Sequence, residues 1–367
     1  MNILIINPII YTSETKNIKR AYSIKDTMIY DLCLAFIEEG HKVTLFAAEP
    51  YRPEKKEDYP FEVIWGKCTV KEIFMPHCFP FIPELISYIN KNKNKLDLII
   101  SSEIFSMHSF ISALCANEKL IIWHELAKHN SLMKKLPSKI WYNFIARFFM
   151  RKTKIVCRSE EAYNFINKYC KRVSNVIVEH GVNLHKFISS EIKEKYFIVC
   201  SQLIKRKRID GIIINFKEFL KLYDSSYKLY IIGEGEKEAE LIKLVKKLKI
   251  DKNVIFTGKM RHEELLPYLA HAKALLVNTE KDNNMISIIE SIAVGTPILT
   301  TDIPLNSRYI KENKLGISKE WDVLDLIKIV ENNEIYVRNC LQYRKKLSTV
   351  DKVNKFIDEI KKDKWRN

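Results

Sequence analysis

Short apolar runs recur along this chain, and longer segments between them repeat apolar positions every three or four residues. In the first half the runs are NILII (2–6), KVTLF (42–46), LDLIIS (96–101), KLIIW (119–123), KIVC (154–157) and NVIV (175–178). In the second half they are YFIVC (196–200), YKLYIIG (227–233), NVIFTG (253–258), ALLVN (274–278) and TPILTT (296–301). Runs that are apolar throughout predict strands buried on both faces of a parallel sheet. The segments between them, such as EKEAELIKLVKKLKI (236–250), carry the helical period. Alternation of the two predicts a doubly wound α/β architecture. The pattern runs once to about residue 180 and restarts near 196, and the polar, irregular stretch 181–195 reads as a linker. Two Rossmann-like domains are therefore expected, 1–184 and 185–349, in preference to one large sheet. The amphipathic stretch 350–367 is expected to be a terminal helix that packs back on the first domain.

In open α/β sheets ligands lie beyond the carboxyl ends of strands, where helix N-termini offer free amides and a positive dipole end. Two such ends are expected to face a central cleft, so residues that follow strands carry the information. In ALLVNTEKDNNMISIIESIAVG a strand gives way to a polar loop with Asp282, and a helix starts around Asn284 to Ile286. That helix start suits a diphosphate. Glu290 interrupts an otherwise apolar helix, and a carboxylate is a good acceptor for a vicinal diol such as ribose. In VCSQLIKRKRIDGII the cations Lys205, Arg206, Lys207 and Arg208 follow a strand, where they can neutralise a leaving diphosphate. Gly233 and Gly235 follow the next strand and open a helix, a pattern that tight turns alone also produce. His124 ends a strand of the first domain and is expected to face the cleft.

Composition narrows the classes. Apolar residues make up 47% of 367, enough for two cores, and a net charge of +16 favours an anionic partner. The eight cysteines are scattered without a C-x-x-C pair, as expected of reduced thiols in a cytoplasmic protein. The N-terminus lacks the features of a signal peptide and no run approaches 18 apolar residues. D-x-D, G-x-x-x-x-G-K-[ST], G-x-G-x-x-G and G-x-S-x-G are all missing. This argues against a metal-held nucleotide-sugar site of the single-domain kind, P-loop and dinucleotide enzymes, and serine hydrolases. A nucleic-acid-binding protein is the rival suggested by charge, but the cations are dispersed and no recognition motif accompanies them.

Together these motifs resemble the family-4 type of retaining glycosyltransferases with the GT-B fold. The likeness is strongest over 229–316, with EHGVNLHKF (179–187) and EEGHKVTLFA (38–47) as further matches. The resemblance implies a metal-independent enzyme without a cofactor. It would move a sugar from a UDP- or GDP-linked donor to a glycan or lipid-linked acceptor, as in bacterial surface polysaccharide synthesis. It places Glu290 on the donor ribose and Asp282 on the donor sugar, with the amides of Asn283, Asn284, Met285 and Ile286 on the diphosphate and sugar. It maps the basic pair onto Gln202 and Lys207, leaving Arg206 and Arg208 to share the phosphates, and the donor base onto the loop of Gly258, Lys259 and Met260. His124 would lie under the sugar, and Asp282, His124 and Lys207 would carry the catalysis, while Gly233 and Gly235 would line the donor site. The chain departs from the family pattern at Asp282 (usually Glu), Gln202 (usually Arg), Met285 (often Gly) and Arg208 (often Gly). A nucleotide-sugar epimerase and a non-catalytic binder on the same fold are the alternatives.

One segment stands outside this scheme. KKLPSKIWYNFIARFFMRKTK (134–154) has Pro137 and Ser138 at a helix start. Ile140, Trp141, Phe144, Ile145, Phe148 and Phe149 form a broad apolar stripe among seven cations. Its composition suits a helix lying in an anionic membrane interface. A stripe packed against the first sheet is the competing expectation.

Overall fold

The computed structural model describes residues 1–11, 18, 22–25, 27–130, 135–282 and 285–364. The chain divides into two compact units, one of residues 1–181 and 349–367, the other of 182–348. Each is built on one parallel sheet.

The first unit holds β1 (Asn2–Ile6), β2 (Lys42–Ala48), β3 (Glu62–Gly66), β4 (Leu98–Ser102), β5 (Leu120–His124), β6 (Lys154–Cys157) and β7 (Val173–Ile177). Their order is β3-β2-β1-β4-β5-β6-β7, all parallel. Ile3 to Ile6 are almost wholly buried, as expected where helices cover both faces. Side-chain caps start the crossover helices: Thr27 accepts from the Tyr30 amide before Met28–Glu38, Ser106 from Ser109 before Met107–Ala116, and Ser159 from Ala162 before Glu160–Ile166.

The helix Thr349–Lys364 belongs to this unit too. It inserts Val353, Phe356 and Ile357 into the first core, and the Lys154 ammonium meets the Glu359 carboxylate at 3.3 Å with both side chains buried.

The second unit holds β8 (Tyr196–Cys200), β9 (Lys228–Ile232), β10 (Val254–Gly258), β11 (Ala274–Leu276), β12 (Ile298–Thr300) and β13 (Gly316–Ser318), ordered β10-β9-β8-β11-β12-β13. The helix Ile209–Leu222 buries Ile209, Ile212, Ile213, Phe216 and Phe219, the i, i+3, i+4, i+7, i+10 face of its sequence. These are the two parallel α/β layers anticipated from the apolar runs.

Two strands escaped the sequence pattern. β3 and β13 are sheet edges, so EVIWG and GIS lack the continuous burial that marks the central strands. The stretch 181–195 is not a free linker. The Val182 amide donates to the Leu347 carbonyl at 2.8 Å, Phe187 is buried in the second core, and the Arg344 guanidinium donates to the Phe187 carbonyl and the Ser189 hydroxyl.

Candidate functional site

In the second unit the chain places its chemistry at the carboxyl end of the sheet, as the parallel topology requires. The loops that follow β8, β9 and β10 are laced together by backbone bonds: Ser201 to Ile232, Leu203 to Glu234, Lys237 to Leu203, and Gly233 to Gly258. Two glycines permit this. Gly233 adopts φ +138°, and a Cβ there would sit 1.9 Å from the Ser201 carbonyl oxygen; at Gly235 it would sit 2.3 Å from that of Leu203. The G-x-G signal therefore reports close backbone approach. Gln202, beside this crossing, is exposed.

The basic turn after β8 meets the acidic loop after β11. Lys207 ends a short 3-10 turn and is buried, and its Nζ lies 2.5 Å from Asp282 Oδ2. Arg206 approaches the same oxygen at 3.0 Å, and the Thr279 hydroxyl donates to it at 3.0 Å. Backbone contacts fix the register of turn and loop: the Glu280 amide donates to the Arg206 carbonyl, and the Asn278 side-chain amide donates to that of Arg208. Burial alone would push the Asp282 carboxyl up. Lys207 outweighs it, with help from Thr279 and Arg206, and holds the group below the usual carboxylate range.

Arg208 takes another course. It adopts left-handed backbone (φ +46°, ψ +43°) immediately before the helix Ile209–Leu222. Its guanidinium lies 3.3 Å from Glu320 and 3.8 Å from Glu280. The expectation that it serves the phosphates is thus met by a side chain already directed at two acids, and the left-handed conformation explains why glycine suits this position. Arg208→Gly relieves the backbone, adds chain entropy to the unfolded state and loses two exposed ion pairs. Stability should therefore stay within about 1 kcal/mol of wild type. Transfer activity should change less than about fivefold; a loss of the order of a hundredfold, with the melting temperature unmoved, would return Arg208 to the phosphates.

Glu290 lies on the helix Ile286–Ala293 and is buried at 9% exposure, so it is not a solvated helix carboxylate. Its Oε1 meets His262 Nε2 at 2.9 Å. His262 opens the helix His262–His271, which follows the Gly258–Met260 loop. Burial pushes the nearby Cys200 thiol up to about 12, and the Glu290 charge adds to this. In the loop itself Gly258 has φ +70°, Lys259 is exposed and Met260 packs against the second core.

The start of the Glu290 helix is braced by Asn306. Its Oδ1 accepts from the Met285 amide at 3.2 Å, and its Nδ2 donates to the Met285 carbonyl at 2.7 Å. The Met285 amide, expected to face phosphate, is therefore already engaged. Asn283 and Asn284 lie outside the described residues. Ile286, whose amide is in the first helical turn, is half-exposed.

In the first unit His124 ends β5 and is completely buried. The expected open imidazole is enclosed by the rings of Tyr142 and Phe165, and its Nδ1 lies 2.9 Å from Glu103 Oε2. Glu103 follows β4 in left-handed backbone (φ +64°), and its other oxygen accepts from the Glu125 amide at 2.8 Å.

A second cluster joins the next strand ends. Arg158 donates to Glu125 at 2.7 Å and to His180 Nε2 at 3.0 Å, and stacks 3.8 Å over the Trp123 ring. The surrounding protein pushes Glu125 up, but Arg158 and then His180 draw it well below the usual carboxylate range. Burial and Arg158 depress His180.

Sequence reasoning missed His262, Asn306, Glu103, Glu125, Arg158 and His180. The last four follow strands, so reading every strand end, and not only those with charge runs, flags them. His262 and Asn306 carry no such signal.

The family described as Glycosyl transferases group 1 matches residues 183–346, and Glycosyltransferase Family 4 matches residues 26–186. An uncharacterized glycosyltransferase of Methanocaldococcus jannaschii is 23% identical over 328 residues, 85% of this chain and 77% of that one. The α-monoglucosyldiacylglycerol synthase of Streptococcus pneumoniae is 25% identical over 197 residues, 49% of this chain but only 44% of that relative. The crystal structure of HepE from Anabaena in complex with UDP superimposes with a TM-score of 0.66 over 99% of this chain and 100% of that one, at 11% identity. That last likeness is one of fold.

Proposed function

We infer the reaction from one premise: the chain belongs to the family-4 type of GT-B glycosyltransferases and is a transferase. The donor is a nucleoside-diphosphate sugar held by the second unit, and the acceptor is a glycan or lipid-linked hydroxyl recognised by the first. The observation that carries this reading is the convergence of Lys207 and Arg206 on Asp282, beside a helix that buries Glu290.

Glu290 accepts hydrogen bonds from the ribose hydroxyls, with His262 fixing one of its oxygens so that the other is aimed. Lys207 and Arg206 exchange part of their contact with Asp282 for the diphosphate. Asp282, released in proportion, accepts from a sugar hydroxyl. The bond from the anomeric carbon to the diphosphate oxygen breaks as the acceptor oxygen bonds to the same face of that carbon. The acceptor proton passes to the departing phosphate. Configuration is retained. Preorganised cations and amides stabilise the leaving charge directly, so a divalent metal is not required. His124, buried at the end of its strand with Nδ1 2.9 Å from Glu103, acts as a positioning residue within the first unit. The synthase relative, named for a glucosylated diacylglycerol, supports a lipid-linked acceptor. The UDP complex of HepE supports a nucleotide on this fold.

The test is a melting screen against UDP, GDP, ADP and CMP. A ligand that binds only the native state raises its melting temperature, and one nucleoside diphosphate should do so by several degrees at 100 times its Kd, where the linkage term is about 2.7 kcal/mol. With the corresponding sugar donor, transfer should survive EDTA. No shift with any nucleotide, or an absolute need for added metal, defeats the reading.

A further inference from the structure

We propose that the helical segment 135–152 of the first unit docks on the surface of an anionic lipid bilayer. The segment runs as Leu136–Ile140, a π-helical stretch Trp141–Ala146, and Arg147–Phe149. In an α-helix an i, i+4 series drifts about 40° per step. A π-helix carries more residues per turn, so over Trp141–Ala146 the series drifts the other way and offsets the α-helical drift on either side. The sequence has a period of four to match. Ser138, Tyr142, Ala146 and Met150 form the buried line, each with no exposure. Two positions away, on the opposite side, Leu136, Ile140, Phe144 and Phe148 are 62%, 51%, 59% and 70% exposed. Next to that outward line comes Lys139, Asn143, Arg147, Arg151, every member exposed. Its other flank is Trp141, Ile145 and Phe149, of which the first two are partly buried against the core.

This corrects the expectation of one broad apolar stripe packed on the sheet. Ser138, Tyr142, Ala146 and Met150 face the core with Trp141 and Ile145 packed beside them, and Ile140, Phe144 and Phe148 face out. The segment cannot simply roll inward. Trp141 donates to the Ile104 carbonyl at 2.8 Å and packs edge-on against Phe79, Phe105 and Phe110.

Scattered apolar residues on a surface are ordinary; four in register beside a cationic row are not. The charge decides the occupant. Residues 135–152 contain Lys135, Lys139, Arg147, Arg151 and Lys152 and no acid. A phospholipid surface offers both things this face needs: a dense plane of phosphate for the cations and an acyl boundary for the phenylalanines. The inference stands apart from the sugar chemistry, since vesicle binding needs no donor.

The experiment is sedimentation with phosphatidylcholine vesicles, with or without phosphatidylglycerol. Wild type should pellet about tenfold more with the anionic vesicles at low salt, and high salt should abolish the difference. Phe144→Ser with Phe148→Ser, and separately Arg147→Glu with Arg151→Glu, should each reduce pelleting about tenfold. All four side chains are exposed, so melting temperature and nucleotide-induced shifts should not move. Equal pelleting with both vesicle types, or none, overturns the proposal. So does undiminished binding by both variants. If wild type is instead a dimer that Phe148→Ser makes monomeric, the face belongs to a second copy and the proposal also falls.

Discussion

Lys207→Met is expected to slow sugar transfer by about 10²–10³-fold, or about 2.7–4 kcal/mol of lost leaving-group stabilisation. Methionine keeps the length and apolar stem of lysine and removes only the charge and the donors. Without a ligand the ammonium is matched by Asp282 at 2.5 Å, so the same substitution also tests stability. Removing one partner of a fully buried pair costs about 3–5 kcal/mol. Asp282 retains 17% exposure, Arg206 and Thr279, which argues for a cost nearer 1 kcal/mol. The two effects separate in the double variant Lys207→Met with Asp282→Asn, which should regain stability and not activity. Acid provides a second readout. The folded Asp282 pKa lies below the unfolded value of about 3.9. Its stabilisation is therefore complete above that value and fades as pH falls through the folded pKa. Loss of Lys207 raises the folded pKa and should flatten this acid limb. Denaturant unfolding between pH 2 and 6, together with steady-state transfer, checks both claims. A transfer loss below about threefold would remove Lys207 from the leaving-group site.

Glu290→Gln is expected to weaken nucleotide binding by about 1.5–3 kcal/mol, roughly 10–150-fold in Kd, because charge-assisted bonds to the ribose become neutral ones. The glutamine fits the same space and can still accept from His262. His262→Ala should cost less, since it frees the carboxylate to turn without discharging it. Calorimetric titration of the nucleotide against both variants gives the order. An unchanged Kd for Glu290→Gln in a protein of normal melting temperature would place the ribose elsewhere.

The central strands were legible because burial on both faces leaves nothing but apolar side chains, as along Tyr196–Cys200. The edge strand Gly316–Ser318 is short and half-covered, and its sequence has no such signature, whereas the edge strands β7 and β10 still carry apolar runs. Glu290 and Asp282 stood out because a carboxylate in an apolar helix, or after a strand, is chemically out of place. The direction of a long side chain is another matter. Four consecutive cations announced a basic turn, but only the tertiary structure sends Lys207 and Arg206 to Asp282 and Arg208 to Glu280 and Glu320. His262 and Asn306 look like ordinary surface residues until the fold brings them to Glu290 and Met285. The orientation of the rows in 135–152 is hidden from the sequence for a related reason. The sequence groups Ile140, Phe144 and Phe148 with Trp141, Ile145 and Phe149 in one stripe, and only the structure turns the first row outward while Trp141 and Ile145 pack on the core.

The contribution of Thr349–Lys364 to the first core bears on biosynthesis. Domains generally fold in the order in which they leave the ribosome, N-terminal first. Here all of residues 182–348 are made before Val353, Phe356 and Ile357, which the first core still needs. The second unit can close while the first waits, with Phe36 and Trp123 short of the aromatic neighbour that Phe356 later supplies. A chain that ended at residue 348 would therefore hold all of the second unit and leave the first core incomplete.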